Sequence, residues 1–300
     1  MYKIILFFFC LVTFLLPDKV LAQNQQDSTK ITSIQTRDGN EYNGIVIKED
    51  EQSLILETKE LGEITIVKSN IKKRTDLPLS NIVGGELWPE NAQATRYFWG
   101  PNGIGLKKGE GYYQNLWVLY NQLSIGITNN FSIGVGLIPL FLFSPEAAEF
   151  SPIWITPKLS VPVKADKFSL GVGLLAGTAG FQGNAGFGIL YGVGTVGNKN
   201  TNASFGLGYG YAGGEWGNSP LINLSVMHRT GRRGYIISEN YIFPADNGSL
   251  VLLSFGGRTM TKSIGIDYGL FIPISGDTGF LGIPWLGITV PINFRKNSNK

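Results

Sequence analysis

Ser263-Ile264-Gly265-Ile266-Asp267-Tyr268-Gly269-Leu270-Phe271-Ile272-Pro273 decides the fold. Successive side chains of an extended chain point to opposite faces. Ile264, Ile266, Tyr268, Leu270 and Ile272 therefore share one face, and Ser263, Gly265, Asp267 and Gly269 share the other. A soluble sandwich would turn its large apolar face inward and leave polar residues to water. The glycine-rich face here cannot fill a core, so the apolar face must meet lipid.

The pattern recurs along the second two-thirds of the chain. Phe205, Leu207, Tyr209 and Tyr211 oppose Ser204, Gly206, Gly208 and Gly210; Phe168, Leu170, Val172 and Leu174 oppose Ser169, Gly171 and Gly173. Ile153, Ile155, Leu159 and Val161 oppose Trp154, Thr156, Lys158 and Ser160. A membrane-crossing strand takes about 9–11 residues, and these segments have that length.

Two kinds of connection alternate between the segments. Thr128-Asn129-Asn130, Lys164 to Lys167, Asn198 to Asn202, Gly231 to Gly234 and Met260-Thr261-Lys262 are tight and polar. Ser144 to Ser151, Ala179 to Asn184, Gly213 to Ser219, Pro244 to Gly248 and Ser275 to Gly282 are generally longer. Short periplasmic turns and longer external loops are the pattern of outer-membrane barrels. Counting from Tyr112, with Tyr112 to Ile127 as one strand, gives about eleven crossings. A periplasmic N-terminal region requires one more. Thr95 to Leu106 supplies it, weakened by Pro101, with Lys107 to Gly111 as the first external loop.

In the last strand Leu286, Ile288, Val290, Ile292 and Phe294 alternate before a polar tail, Arg295 to Lys300. The run resembles the aromatic-ended C-terminal strand of the Gram-negative outer-membrane β-barrel family. That resemblance covers residues 95–294 and rests on pattern. It implies outer-membrane lipid as the surroundings and the barrel-assembly machinery as a partner during biogenesis.

The N-terminus agrees with export. Lys3, the apolar run Ile4 to Leu16, the break Pro17-Asp18-Lys19 and the small residues of Val20-Leu21-Ala22 form a signal peptide over residues 1–22. Cys10 is the only cysteine and lies inside it, without the context of a lipidated cysteine. The mature chain then offers no disulfide and no thiolate metal site, and the single histidine, His228, excludes a histidine cluster. Forty glycines, 12% aromatic and 16% charged residues depart from soluble composition in the direction of a lipid-facing barrel. A net charge of +3 gives no reason to expect nucleic acid.

Residues 31–75 read differently, as a small soluble β-domain. Ile31 to Thr36 and Tyr42 to Lys48 are strand-like around Asp38-Gly39, and Leu54, Leu56, Ile64, Ile66 and Ile71 continue the alternation. Strands so short close a core only by curling into a small barrel. Asp38 to Ile47 resembles the strand–turn–bent-strand opening of Sm-like and SH3-like barrels, in which a mid-strand glycine, here Gly44, permits bending. Residues 76–94, with Pro78, Gly84, Gly85 and Pro89, read as a linker. The expected fold is therefore all-β. A transmembrane antiparallel β-barrel of about twelve strands over residues 95–295 follows a small periplasmic β-barrel domain.

Chemistry is sparse. Lys158, Arg229, Arg258 and Asp267 fall on the lumen face as candidate lumen-lining residues, with Glu239 on a strand that alternates poorly. Arg258 and Asp267 flank one tight turn and can meet across neighbouring strands. His228 invites comparison with membrane hydrolases, but Ser225 lies on the opposite strand face and Ser238 is its only tempting partner. Gly192-Val193-Gly194-Thr195-Val196-Gly197 matches a dinucleotide fingerprint by letters alone; no helix follows it, and its glycines read as a lumen-facing stripe. Trp88, Tyr97, Phe98, Trp99, Tyr112, Tyr113, Trp154, Trp216 and Trp285 read as girdles at the lipid–water boundary. No cofactor is expected. The leading function is a non-enzymatic outer-membrane barrel, either a narrow passive pore or a structural envelope component. An outer-membrane enzyme acting on lipid or lipopolysaccharide is one alternative, and an envelope module docking a periplasmic protein through residues 31–75 is another.

Overall fold

The computed structural model describes residues 30–78, 81–83, 86–139, 151–179, 186–245, 248–261, 264–274 and 282–294. The expected signal peptide, the C-terminal tail and most of the connections at 144–151, 179–184 and 275–282 lie outside the described residues. The chain divides into two compact units between Leu87 and Trp88.

The first unit contains β1 (Lys30–Thr36), β2 (Glu41–Glu49), β3 (Ser53–Thr58), β4 (Gly62–Val67) and β5 (Ile71–Pro78), followed by a ribbon of β6 (Ile82–Val83) and β7 (Glu86–Leu87). The five longer strands form one antiparallel sheet in the order β4-β3-β2-β1-β5, so the fifth strand returns beside the first. Ile34, Leu54, Leu56 and Ile66 form its core, flanked by Tyr42, Val46, Ile64 and Ile71. Strand β5 extends to Pro78, into the stretch read as linker. Lys68 and Arg74 both hydrogen-bond the Glu49 carboxylate, at 2.8 and 2.9 Å, and hold its pKa below the ordinary carboxylate value. Gly44 is required by contact. A Cβ built there would lie 2.2 Å from the Glu57 carbonyl oxygen, where β2 bends toward a bulge between Val46 and Lys48.

The second unit contains β8 (Glu110–Leu116), β9 (Tyr120–Gly126), β10 (Phe131–Leu137), β11 (Pro152–Ile155), β12 (Lys158–Lys164), β13 (Phe168–Ala179) and β14 (Gly186–Gly197). It continues with β15 (Thr201–Ala212), β16 (Glu215–Trp216), β17 (Leu221–Arg229), β18 (Gly234–Ala245), β19 (Gly248–Met260), β20 (Gly265–Ile274) and β21 (Ile283–Asn293). All pair antiparallel in one closed sheet of fourteen strands, which make twelve staves. Strands β11 and β12 lie end to end between β10 and β13, interrupted at Pro157, and β16 is a short outgrowth of β15. The ring closes where β21 meets β8, from Gly287 opposite Leu116 to Asn293 opposite Glu110.

The wall alternates as read. Phe205, Leu207, Leu224, Val226, Leu253, Phe255, Leu286 and Ile288 are exposed on its outside, while Ser204, Ser225, Ser254 and Thr289 are buried on its inside. Closure leaves no open sheet edge in the ring. Where the β18–β19 ladder is interrupted, the Glu239 and Ser254 amides donate to the side chains of Ser254 and Asn240 instead.

The twelve crossings are not the twelve expected. Tyr112 to Ile127 is two strands, β8 and β9, joined by Trp117-Val118-Leu119. Thr95 to Leu106 is no stave. Lys107 to Gly111 is also no external loop: the Lys108 amide donates to Asn129 Oδ1 in the tight turn after β9, and Glu110 pairs with the end of β21. The first stave therefore begins, and the last ends, at the tight-turn rim. Strand β14 also departs from expectation. Val193 and Thr195 are its buried inner residues, whereas Gly192 has open space at its Cβ position and faces outward. Of its inward residues, Thr195 accepts a hydrogen bond from the Gly103 amide of the inserted segment described below, at 2.7 Å.

Two outcomes test this description. Gly44→Ala should loosen the first unit by about 1–3 kcal/mol through overpacking, seen as faster amide exchange over residues 30–78 with the barrel unaffected. Phe255 is 65% exposed midway along β19. Phe255→Arg should destabilise the barrel by about 2–4 kcal/mol in urea unfolding from lipid vesicles, and Phe255→Leu should stay near wild type.

Candidate functional site

Small inward residues leave the barrel with more room than its wall can fill. The chain fills it from its own N-terminal side. Asn91 donates to the Lys199 carbonyl in the turn after β14, Lys199 pairs with Glu90, and Arg229 donates to the Pro89 carbonyl, so the segment enters at the tight-turn rim. It then folds back on itself. Arg96 bridges Pro101, the Gly100 carbonyl accepts from the Tyr97 amide at 3.0 Å, and Asn102 Nδ2 donates to the Ala94 carbonyl at 2.7 Å. The chain leaves at Lys107 by the same rim.

The hairpin tip carries the lumen's apolar core. Tyr97 and Phe98 are fully buried among Leu116, Met227, Tyr235, Ile237, Met260, Phe271 and Trp285. Phe98 meets Phe271 and Trp285 with ring centroids 5.7 and 5.9 Å apart. Gly100 admits no side chain: a Cβ there would lie 2.3 Å from the Tyr241 hydroxyl. Tyr97, Phe98, Tyr112, Trp154 and Trp285, read as girdle residues, are thus buried inside the barrel. Trp154 stacks on Tyr120 at 4.8 Å and donates to Gln122. Only Tyr113 and Trp216 of that set lie exposed as large apolar side chains.

The charged residues meet the hairpin one by one. Asp267 stands opposite Arg258 in the β19–β20 register and receives its guanidinium at 2.5 and 3.2 Å. Arg96, from the hairpin, donates to the same carboxylate at 2.8 Å. Arg258 also donates to the Gln93 and Tyr97 carbonyls, and Arg96 to the Tyr97 and Phe98 carbonyls, to Gln93 Oε1 and to Thr289. All three side chains are essentially without solvent exposure. Arg229 holds the neck of the segment, with its guanidinium 4.9 Å from the Trp88 ring and 5.3 Å from the Tyr235 ring. Lys158 donates to the Ile104 carbonyl at 2.7 Å.

Sequence reading left Glu239 undecided and missed Arg96 and Gln93 altogether. Glu239 is fully buried, and its carboxylate accepts from the amides of Phe98, Trp99 and Gly100 at 2.5, 2.9 and 2.7 Å and from the Tyr241 hydroxyl. Successive amides converging on one anion make a backbone nest. The available signal was composition: Asn91, Gln93, Arg96 and Asn102 crowd a stretch with turn letters, Gly100-Pro101-Asn102-Gly103, and no alternation.

No protein-family model matches the chain. No curated protein matches it. Among solved structures it is similar to a KdgM porin in complex with disordered oligogalacturonate, at 7% identity and a TM-score of 0.43, over 62% of this chain and 98% of that one.

The candidate hydrolase pair does not assemble. His228 lies on the outer face of β17, where its ring hydrogen-bonds Thr201 at 3.1 Å. Ser238 stands opposite Val226 and donates to the Ser254 carbonyl at 2.6 Å.

Asp267 is the test of the hairpin's anchorage. Asp267→Asn leaves Arg96 and Arg258 buried with no carboxylate between them, at a cost of about 3–5 kcal/mol. Amide exchange at residues 93–103 should accelerate by orders of magnitude while β13 to β15 keep their protection. Glu239→Gln retains an acceptor oxygen and should cost less.

Proposed function

We propose that the protein is a narrow, non-enzymatic pore of the outer membrane, held shut at rest by its own hairpin. The outward apolar wall calls for lipid, and twelve antiparallel staves with both ends at the tight-turn rim suit the even-numbered topology of bacterial outer-membrane barrels. On that topology the tight-turn rim faces the periplasm, and the hairpin is a periplasmic insertion. The observation that carries the reading is the filling of the lumen by a non-wall segment that polar contacts position: Asp267 with Arg96, and Glu239 with three amides. The first unit, with its second strand bent at Gly44, suits a Sm-like or SH3-like module on the periplasmic side that docks an envelope protein.

Planar-bilayer recording separates the pore from a purely structural barrel. Wild type should show a quiet baseline with rare openings. The double variant Asp267→Asn, Glu239→Gln should show frequent, long openings while keeping the heat-resistant gel mobility of a folded barrel. If folded wild type and folded double variant are equally silent, the pore reading fails and a structural envelope component remains.

A further inference from the structure

Inside the barrel, against the hairpin, lies a cavity of about 130 Å³. Its walls include Tyr120, Leu175, Tyr191, Leu221, Tyr241 and Phe243 from the middle and outer parts of the staves, and reach Ser132 near the tight-turn rim. Its inner side carries Trp99 and a group of donors, Thr95, Arg96 and Lys158.

Those donors are in surplus. Lys158 is 7% exposed, and its ammonium donates to the Ile104 carbonyl at 2.7 Å and, at 3.5 Å, to the Thr95 carbonyl. The two buried carboxylates among the described residues are engaged elsewhere, Asp267 by two arginines and Glu239 by three amides and a tyrosine. In the same lining, Thr95 Oγ1 and Arg96 Nε are buried with no protein partner for hydrogen bonding. A buried cation without a counter-ion is costly, and an anion brought to it relieves that cost. The remaining lining is mostly aromatic and aliphatic, with a minority of polar side chains such as Gln122, Ser124 and Asn223, so an organic body gains contacts there that a bare inorganic ion would exchange for its hydration.

We propose that this cavity binds a small organic acid, with its carboxylate against Lys158 and Thr95 and a ring-sized apolar body among the tyrosines and leucines. The volume sets the size: an apolar cavity of about 150 Å³ accepts benzene. The site needs the hairpin in place and does not depend on conduction.

Benzoate is the probe, titrated by calorimetry into the full-length protein in detergent micelles, with benzyl alcohol and inorganic phosphate as comparisons. Benzoate should bind saturably, about tenfold or more tightly than either comparison. Lys158→Met should lose about tenfold in benzoate affinity without changing benzyl alcohol binding, and Lys158→Arg should retain it. Leu221→Trp, which fills the cavity and leaves the charge, should abolish binding and keeps the test alive if Lys158→Met fails to fold. Absence of benzoate binding, equal affinity for benzyl alcohol or phosphate, or indifference to Lys158→Met would overturn the proposal. A silent channel that binds benzoate would overturn only the pore reading, and a conducting one that does not bind it would overturn only this one.

Discussion

A sheet closed on itself with its greasy face outward must find its core somewhere other than its own large side chains. In this barrel the inward positions are often small, Gly171, Gly173, Ser204, Gly206 and Ser225 among them. The wall therefore encloses space that it cannot pack, and close packing is the normal state of protein interiors. Tyr97, Phe98 and Trp99 supply the missing volume from a different part of the chain, against Ile237, Phe271 and Trp285. The hydrophobic core is inside the barrel, and the segment that completes it is not part of the wall.

A hairpin inserted in that way brings peptide groups that no sheet will satisfy. Buried N–H and C=O groups need partners, and those of a non-wall segment must take them from side chains. This accounts for nearly every charge in the lumen. Arg96 and Arg258 supply donors to the carbonyls of Gln93, Tyr97 and Phe98, Gln114 adds another to Phe98, and Glu239 takes the amides of residues 98 to 100. Asp267 then bridges the two arginines and offsets one of their two charges. The ionic residues are the counterpart of irregular backbone; Lys158 and Arg229 likewise donate to carbonyls of the inserted segment, and neither shares a carboxylate with it.

The wall was legible in the sequence because a period of two is local: Phe205 and Ile266 declare their faces within a few residues. The contents of the lumen were not, since whether Tyr97 faces lipid or interior depends on a strand more than a hundred residues away. The strand count of twelve was reached through two compensating misreadings. Thr95 to Leu106 is not a stave, and the turn Trp117-Val118-Leu119, which makes two staves of one expected strand, carries no Gly, Pro, Asn or Asp to mark it. Trp117 and Val118 adopt left-handed backbone, φ 47° and 68°, which bulky side chains rarely tolerate. Asn115 and Asn121 flank them and hydrogen-bond the Val118 amide and the Val118 and Leu119 carbonyls, doing from outside what turn residues do from within. The excess of Tyr112 to Ile127 over the roughly 9–11 residues of a crossing was the readable clue.

What positions the hairpin and what retains it are different forces. Arg258 and Asp267 stand opposite each other on adjacent staves, so their ion pair survives whether or not the hairpin is present. Withdrawal would exchange Arg96 and a set of carbonyls for water, a trade that intramolecular hydrogen bonds make at small net cost. It would also uncover Phe98, Phe271, Trp285 and their neighbours, whose burial has no replacement in a wet lumen. Polar contacts thus fix the register of the hairpin, while its aromatic tip supplies most of the resistance to leaving. Changing the carboxylates loosens the segment by another route: Arg96 and Arg258 are then buried without a counter-ion, a cost the inserted state bears and the wall does not need to.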